Sequence, residues 1–563
     1  MTPFESGRAA LAARDWPAAK AAFTQAAAAA PEAAGPWIGL SRVHRFTGAD
    51  EQAESCLAQA LAREPHNVDA LNNLAQLRRA RDPEGATSLL VRAHAGRPKD
   101  ATIFLNLMGL LGERRKHDHA IRLARAWLAD APGTAFVHTA LAEALFGATQ
   151  YEAALDAAGA ALAMDAFQTG ARLVAAQALD GLGRHREALT MARTAFSLRG
   201  GDVKARLVLA QCLANSGETA EALALAKLAA AASPGDPKAA LTLARAAFLA
   251  GRYDLAWPAF EQRWAVSPGG PPKVPARPWR GEDVAGKTVL LVAEQGLGDT
   301  IHFARYAWEI TARGGRVMLH GPDDLACLFT RAPAGIRFAG AFDPANIDYW
   351  APLLSAPWLL GMTAPMAPPP GYVSAPAHRS PPAALAGPGV KVGLVWAGNP
   401  DHPNDALRSA GLAALSPLLA TPGVLFFSLQ KGAAAAQRTA LGLDDMICDL
   451  AQLLGDWGDT AAALGRLDLL ISVDSAPAHL AGALGRPVWI AAPFSPDWRW
   501  APTGNAAPAS EAPWHQTAWY PGARIYRQSQ ERDWTGPAAR MAADLAVLVE
   551  RLMRGEGLGP DQR

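Results

Sequence analysis

The chain has 563 residues, too many for one hydrophobic core, so at least two domains and more naturally three are expected. Lys plus Arg total 53 against 52 Asp plus Glu, which gives no electrostatic ground for nucleic acid or an anionic membrane as partner and favours a neutral or protein ligand. Cys56, Cys212, Cys327 and Cys448 lie far apart with no Cys-x-x-Cys pair, which argues against a disulfide framework or zinc cluster and for reduced, cytosolic thiols.

At the N-terminus no secretory apolar run forms before Arg14 and Asp15, and no uncharged stretch is long and apolar enough to cross a bilayer. A cytoplasmic protein without a membrane span is expected. Ala19, Ala53, Ala86, Ala120, Ala154, Ala188, Ala222 and Ala256 then recur every 34 residues with one interval of 33, which is the tetratricopeptide period. Most units repeat a small residue seven positions on, as at Ala26, Ala60, Ala93, Ala161, Ala195 and Ala229. Many close on Pro, as at Pro31, Pro65, Pro98, Pro132, Pro234 and Pro268. Small side chains let paired helices approach, and Pro stops the second helix. About eight repeats over 1–268 therefore predict an α-solenoid whose concave face holds a protein acceptor.

The Pro- and Gly-rich run 268–275 opens a linker over 269–285. Strand-like runs at 287–293 and 316–320 flank a Gly-rich loop and a helical stretch from Thr300 to about Arg313, the start of a first α/β half over 286–380. A breaker cluster from Ala364 to Pro382, with Pro at 368–370, precedes a second half over 381–534. Its strands are expected at 390–396, 424–429, 467–473 and 487–492. A closing helix, Thr535 to Met553, and tail complete 535–563. Two doubly wound halves about a hinge make a cleft, a favoured ligand site.

The first strand ends in Glu294-Gln-Gly-Leu-Gly-Asp299-Thr-Ile-His302, where the glycines allow a tight turn and Asp299 is placed to cap the helix. A carboxylate there faces the positive helix end and can take a proton from an acceptor hydroxyl; His302, one turn on, is the rival base. In the second half, Asp474-Ser475-Ala-Pro-Ala-His479 again joins strand to helix. Backbone N–H groups near Ser475 and Ala476 suit a phosphate, with Ser475 as added donor, Asp474 for a ribose or sugar hydroxyl and His479 for the leaving phosphate. Trp396-Ala-Gly398-Asn399 exposes backbone at the cleft edge. Arg408 is a candidate clamp on phosphate or carboxylate, and Gln430-Lys431 directly follows a strand, at a carboxyl end suited to a diphosphate or a base.

No Asp-x-Asp occurs, and His117-Asp-His119 lacks further ligands, so no metal is predicted. No Gly-x-x-x-x-Gly-Lys-Ser/Thr sequence is present, and Gly-Leu-Gly at 296–298 leaves a dinucleotide fingerprint incomplete.

Residues 294–306, 396–399, 428–432, 472–487 and Pro496-Asp-Trp-Arg-Trp500 together resemble bacterial tetratricopeptide-repeat proteins bearing a glycosyltransferase domain similar to family nine, the heptosyltransferases. The resemblance implies a GT-B fold, two Rossmann-like domains facing a cleft, and an inverting, metal-independent enzyme. It places the donor in the C-terminal half and the acceptor toward the N-terminal half. It gives Asp299 as base and Asp474, Ser475 and His479 as the donor motif, while His302 stands where many relatives have Gln. Similarity to repeat-bearing transferases that modify flagellin Ser or Thr implies a nonulosonic acid of the pseudaminic type carried on CMP, with no cofactor besides the nucleotide sugar. Arg408 and Lys431 would then meet a sugar carboxylate as well. An O-GlcNAc-type or envelope transferase, and a scaffold with an inactive transferase half, are the alternatives.

Overall fold

The computed structural model describes residues 1–267, 269–332, 334–369, 371–502 and 514–556. Pro268 and Pro370, and the tail after 556, lie outside them. Two compact units divide at Ala178 and Leu179, inside helix Thr169–Gly181 and well before the linker that the sequence predicts.

In the first unit, helices from Pro3–Ala12 to Tyr151–Met164 form successive pairs. Several starts are fixed by side-chain caps: Asp15 accepts from the Ala18 N–H, Asn67 from Ala70 and Asp82 from Gly85. Ala19, Ala53, Ala86, Ala120 and Ala154 are all at most 1% exposed, so the periodic alanine is where one helix meets the next. The pairs continue in the second unit from His185–Leu198 to Tyr253–Phe260, with Ala188, Ala222 and Ala256 again fully buried.

Residues 269–287 carry no helix or strand among those described, yet they are pinned to the first α/β lobe. The Trp279 N–H donates to the Trp350 carbonyl at 2.7 Å and the Trp350 N–H to the Arg277 carbonyl at 2.9 Å. That lobe has β1 (Thr288–Val292), β2 (Arg316–His320), β3 (Ile336–Phe338) and β4 (Tyr349–Pro352) in the order β3-β2-β1-β4, all parallel. The helical stretch after β1 is two helices, Leu297–Phe303 and Arg305–Ala312, joined at Ala304.

The second lobe has β5 (Val390–Val395), β6 (Val424–Ser428), β7 (Ile447–Asp449), β8 (Leu469–Val473), β9 (Val488–Ala492), β10 (His515–Thr517) and β11 (Tyr520–Arg527). Their order is β10-β11-β9-β8-β5-β6-β7, parallel except for β10. Every residue of β8 and β9 is buried, as expected of parallel strands covered on both faces. Helix Thr535–Met553 closes this lobe, setting Met541, Leu545 and Leu548 into the core that holds Val392, Leu394 and Ile471. The chain order reverses beside β1 in one sheet and beside β5 in the other, and at such switch points the loops diverge and leave a crevice. Tetratricopeptide repeats followed by a GT-B-like α/β domain with two sheets are thus the architecture.

Candidate active site

A cavity of about 900 Å³ lies between the lobes and takes its walls from the loops after β1, β5, β6 and β8. Asp299, Gly398, Asn399, Arg408, Gln430, Lys431, Asp474, Ser475 and His479 all line it. Trp396 and His302 do not. The Trp396 ring is fully buried, with Nε1 donating to the Ala434 carbonyl, and only its backbone N–H takes part near the cleft, donating to Gln430 Oε1 at 2.9 Å. His302 is also fully buried; like Asp299 it faces the second lobe, but it packs against Tyr520 in the interior and not on the cavity, whereas Asp299 meets Arg499 at the cavity wall.

The turn that presents Asp299 is made by Gln295 in the left-handed region at φ +62°, an uncommon conformation for a residue with a side chain. Gly296 is the helix cap. Asp299 is the third helical residue, not the cap that the sequence predicts, and its Oδ2 accepts from the Gly296 N–H at 3.1 Å. Gly298 has a different reason to be glycine: a Cβ there would stand 2.8 Å from His479 Cδ2, so helices Leu297–Phe303 and Ala476–Ala483 meet only because it has none.

Arg499, which sequence reasoning did not single out, organises the charges. Its Nη2 donates to Asp299 Oδ1 at 2.6 Å and its Nη1 to Asp497 Oδ1 at 2.9 Å, while the guanidinium stacks 4.3 Å from the Trp498 ring. Burial alone would lower its pKa, but Asp497 and Asp299 outweigh that and keep it charged. The usable signal was the Asp-Trp-Arg-Trp run, a cation flanked in sequence by two tryptophans.

Asp474 accepts from Trp500 Nε1 at 2.7 Å and has Arg408 Nη1 at 3.9 Å and His479 Nε2 at 3.8 Å. Burial, reinforced by Asp497, pushes its carboxyl up to about 6. Burial, reinforced by Arg499, pushes His479 down to about 3, so this imidazole is neutral at physiological pH. Ser472 donates to the Val473 carbonyl, which leaves the Ser475 hydroxyl as donor in their 2.8 Å contact. Ser475 therefore offers the cleft oxygen lone pairs, whereas the sequence reading had it as a donor. Pro477 lacks an N–H, so Ser475 and Ala476 supply the amides at this helix start. Lys431 donates to the Leu454 carbonyl and, among the described residues, has no carboxylate in ion-pair reach. Arg408 is paired with Asp405 at 3.3 Å. Among the described residues no three His, Cys, Asp or Glu are grouped to hold a metal ion, and no helix is long and apolar enough to cross a membrane.

Residues 410–492 match glycosyltransferase family 9 (heptosyltransferase), and residues 10–77 and 173–237 match tetratricopeptide repeats. A curated relative, protein FlbA of Caulobacter vibrioides, is 29% identical over 301 residues, which cover 48% of this chain and 48% of that protein. The chain thus spans about half the length of the relative it matches. Among solved structures, a tetratricopeptide-repeat protein of Parabacteroides merdae is similar over 42% of this chain and 94% of its own, with 19% identity and a TM-score of 0.36. YrrB, described as a tetratricopeptide-repeat protein with an unusual peptide-binding site, is similar over 32% and 95%, with 16% identity and a TM-score of 0.28. Tetratricopeptide repeats and a family 9 glycosyltransferase domain are therefore joined in one chain.

Proposed function

We infer that the protein is an O-glycosyltransferase that moves a sugar from a nucleotide donor onto Ser or Thr of a protein held by its repeats. One observation carries this reading: Asp299 from the first lobe shares a cleft with Lys431, Asp474 and His479 from the second. The family 9 match includes the last three. Asp299 keeps one lone pair on each oxygen beyond those used by Arg499 and Gly296, so it can accept the hydroxyl proton as that oxygen attacks the anomeric carbon. The bond from that carbon to the phosphate oxygen breaks, and its electron pair leaves on the phosphate. Lys431, without a carboxylate of its own, is suited to the charge that develops there. Attack opposite the leaving group inverts the anomeric centre, and no step calls for a metal. The similarity to FlbA supports a flagellar acceptor, with flagellin bearing a CMP-derived nonulosonic acid as the specific form.

The test is to incubate the full chain with flagellin and CMP-, UDP- or ADP-linked sugars and to follow acceptor mass. A discrete mass increase with one donor is expected; an unchanged acceptor with all of them removes the reading. The ion pair between Arg499 and Asp299 favours a second reading, a scaffold whose transferase half is inactive. Calorimetry with free nucleotides separates the two, since a scaffold has no need to bind them.

A further inference from the structure

From His479 on the cleft wall inward, four side chains are linked in a buried row that the transfer chemistry above does not use. Arg305 is fully buried; it donates through Nε to the His302 carbonyl at 2.7 Å and through Nη1 to the carbonyls of Met366 at 2.6 Å and Trp519 at 2.8 Å. Its Nη2 stands 3.3 Å from His302 Nδ1. The Tyr520 hydroxyl lies 3.0 Å from that same Nδ1 and 3.1 Å from Nδ1 of His479.

Proton counting fixes the direction. A guanidinium only donates, so His302 Nδ1 presents its lone pair to Arg305 and carries no hydrogen. Tyr520 has one proton, and unless it points at His302 Nδ1 two lone pairs would face each other at 3.0 Å, so that nitrogen's lone pair is shared between the closer Tyr520 hydroxyl and the longer contact from Arg305. Arg305 also approaches the tyrosine oxygen, and the neighbouring Tyr372 hydroxyl donates to the Ile301 carbonyl, so an oxygen lone pair remains to accept from His479, with the hydrogen on Nδ1. Both imidazoles are neutral, since burial holds His302 well below its ordinary range and His479 near 3. In this arrangement the His302 proton is on Nε2, a buried atom with no hydrogen-bond partner. A group left unsatisfied in this way is retained when the rest of the network requires it.

Resting on the glycosyltransferase reading of the cleft, we propose that Arg305, His302 and Tyr520 are positioning residues that hold His479 as the Nδ1–H tautomer, so that its Nε2 meets the donor as a hydrogen-bond acceptor. Asp474 Oδ1, 3.8 Å away, is a second acceptor. Two acceptors side by side suit a pair of hydroxyls, as on a ribose or on the transferred sugar, and not a phosphate oxygen. His302 thus acts through His479 and is no base, and His479 reads hydroxyls where the sequence reading had it reach the leaving phosphate.

The experiment is nitrogen NMR on full-length protein labelled with ¹⁵N-histidine, with His479→Gln to assign the resonance. The expected spectrum has an unprotonated Nε2 and a protonated Nδ1 on His479. The Nε2–H tautomer or an imidazolium would overturn the proposal. In Tyr520→Phe the His479 signals should move to a mixture of tautomers while the melting temperature stays within a few degrees. If that variant does not fold, His302→Gln serves as the second test. An unchanged tautomer in a folded variant refutes the relay. Titrations with uridine, a free hexose and inorganic phosphate then identify what Nε2 meets: a response to uridine points to the ribose, and one to the hexose to the transferred sugar. A response to phosphate, or to none of the three, refutes the hydroxyl assignment. The tautomer is read in resting protein, so an inactive enzyme with Nδ1–H removes the transferase reading alone, and an active one with Nε2–H removes the relay alone.

Discussion

Asp474 sits where two demands conflict, since a largely desolvated carboxyl at the cleft wall resists ionisation while Trp500, Arg408 and Arg499 favour it. Its pKa in the folded chain, about 6, stands above the unfolded value, so its contribution to stability is full below the unfolded pKa and is lost as pH climbs through about 6. Asp474→Asn keeps an acceptor for Trp500 and removes the penalty. In urea titrations the variant should gain on the wild type as pH rises, the gap widening by about 1 kcal/mol between pH 5 and 8. A gap that narrows would show the carboxylate to be net favourable. Lys431→Met should weaken nucleotide binding by roughly 10- to 100-fold in calorimetry, the scale of one charged hydrogen bond, and leave the melt nearly unchanged. Residues such as these were legible because each follows a strand within a few positions of a glycine or helix start. Arg499 and Tyr520 were not, because their meaning lies in partners 200 and 218 positions away.

Among elements, the alanine register and the helix Thr535–Met553 could be read from sequence, since both express a periodicity that burial then uses. β11 could not: Tyr520-Pro-Gly-Ala carries the marks of a turn, yet parallel pairing with β9 makes it a strand, one residue of which holds the buried hydroxyl between His302 and His479. β3 and β7 are three residues each, too short for any alternation to show. The packing of helix Leu297–Phe303 on helix Ala476–Ala483 gives an element-scale test. Gly298→Ala drives a methyl into His479, and the expected cost is about 1–3 kcal/mol in thermal or urea melts, with donor binding weakened in parallel. A variant of wild-type stability would mean that the two helices separate freely. Ala154→Leu, at a fully buried repeat contact, should cost a similar amount without touching donor binding.

Across the second unit, the last repeats and the transferase lobes form one body. Phe248 stacks on Trp498 at 4.4 Å, Trp257 meets Trp498 and Phe303 edge-on, and Arg263 is buried against Glu294 at 2.7 Å while donating to Ser355 at 2.8 Å. Phe248, Trp257 and Arg263 thus brace the loops that carry Asp299 and Arg499, which explains physically why the compact unit begins inside the repeats and not at the Pro-rich segment. Nucleotide-sugar at a hundred times its Kd should stabilise the folded state by about 2.7 kcal/mol, with hydrogen exchange slowed at 294–303, 428–432 and 472–479. Protection elsewhere would put the donor in another place. The most direct measurement is single-turnover transfer by Asp299→Asn beside the wild type, with donor affinity measured on the same samples. The account predicts unchanged affinity and a rate lower by roughly 10²- to 10⁴-fold; transfer at the wild-type rate would contradict it.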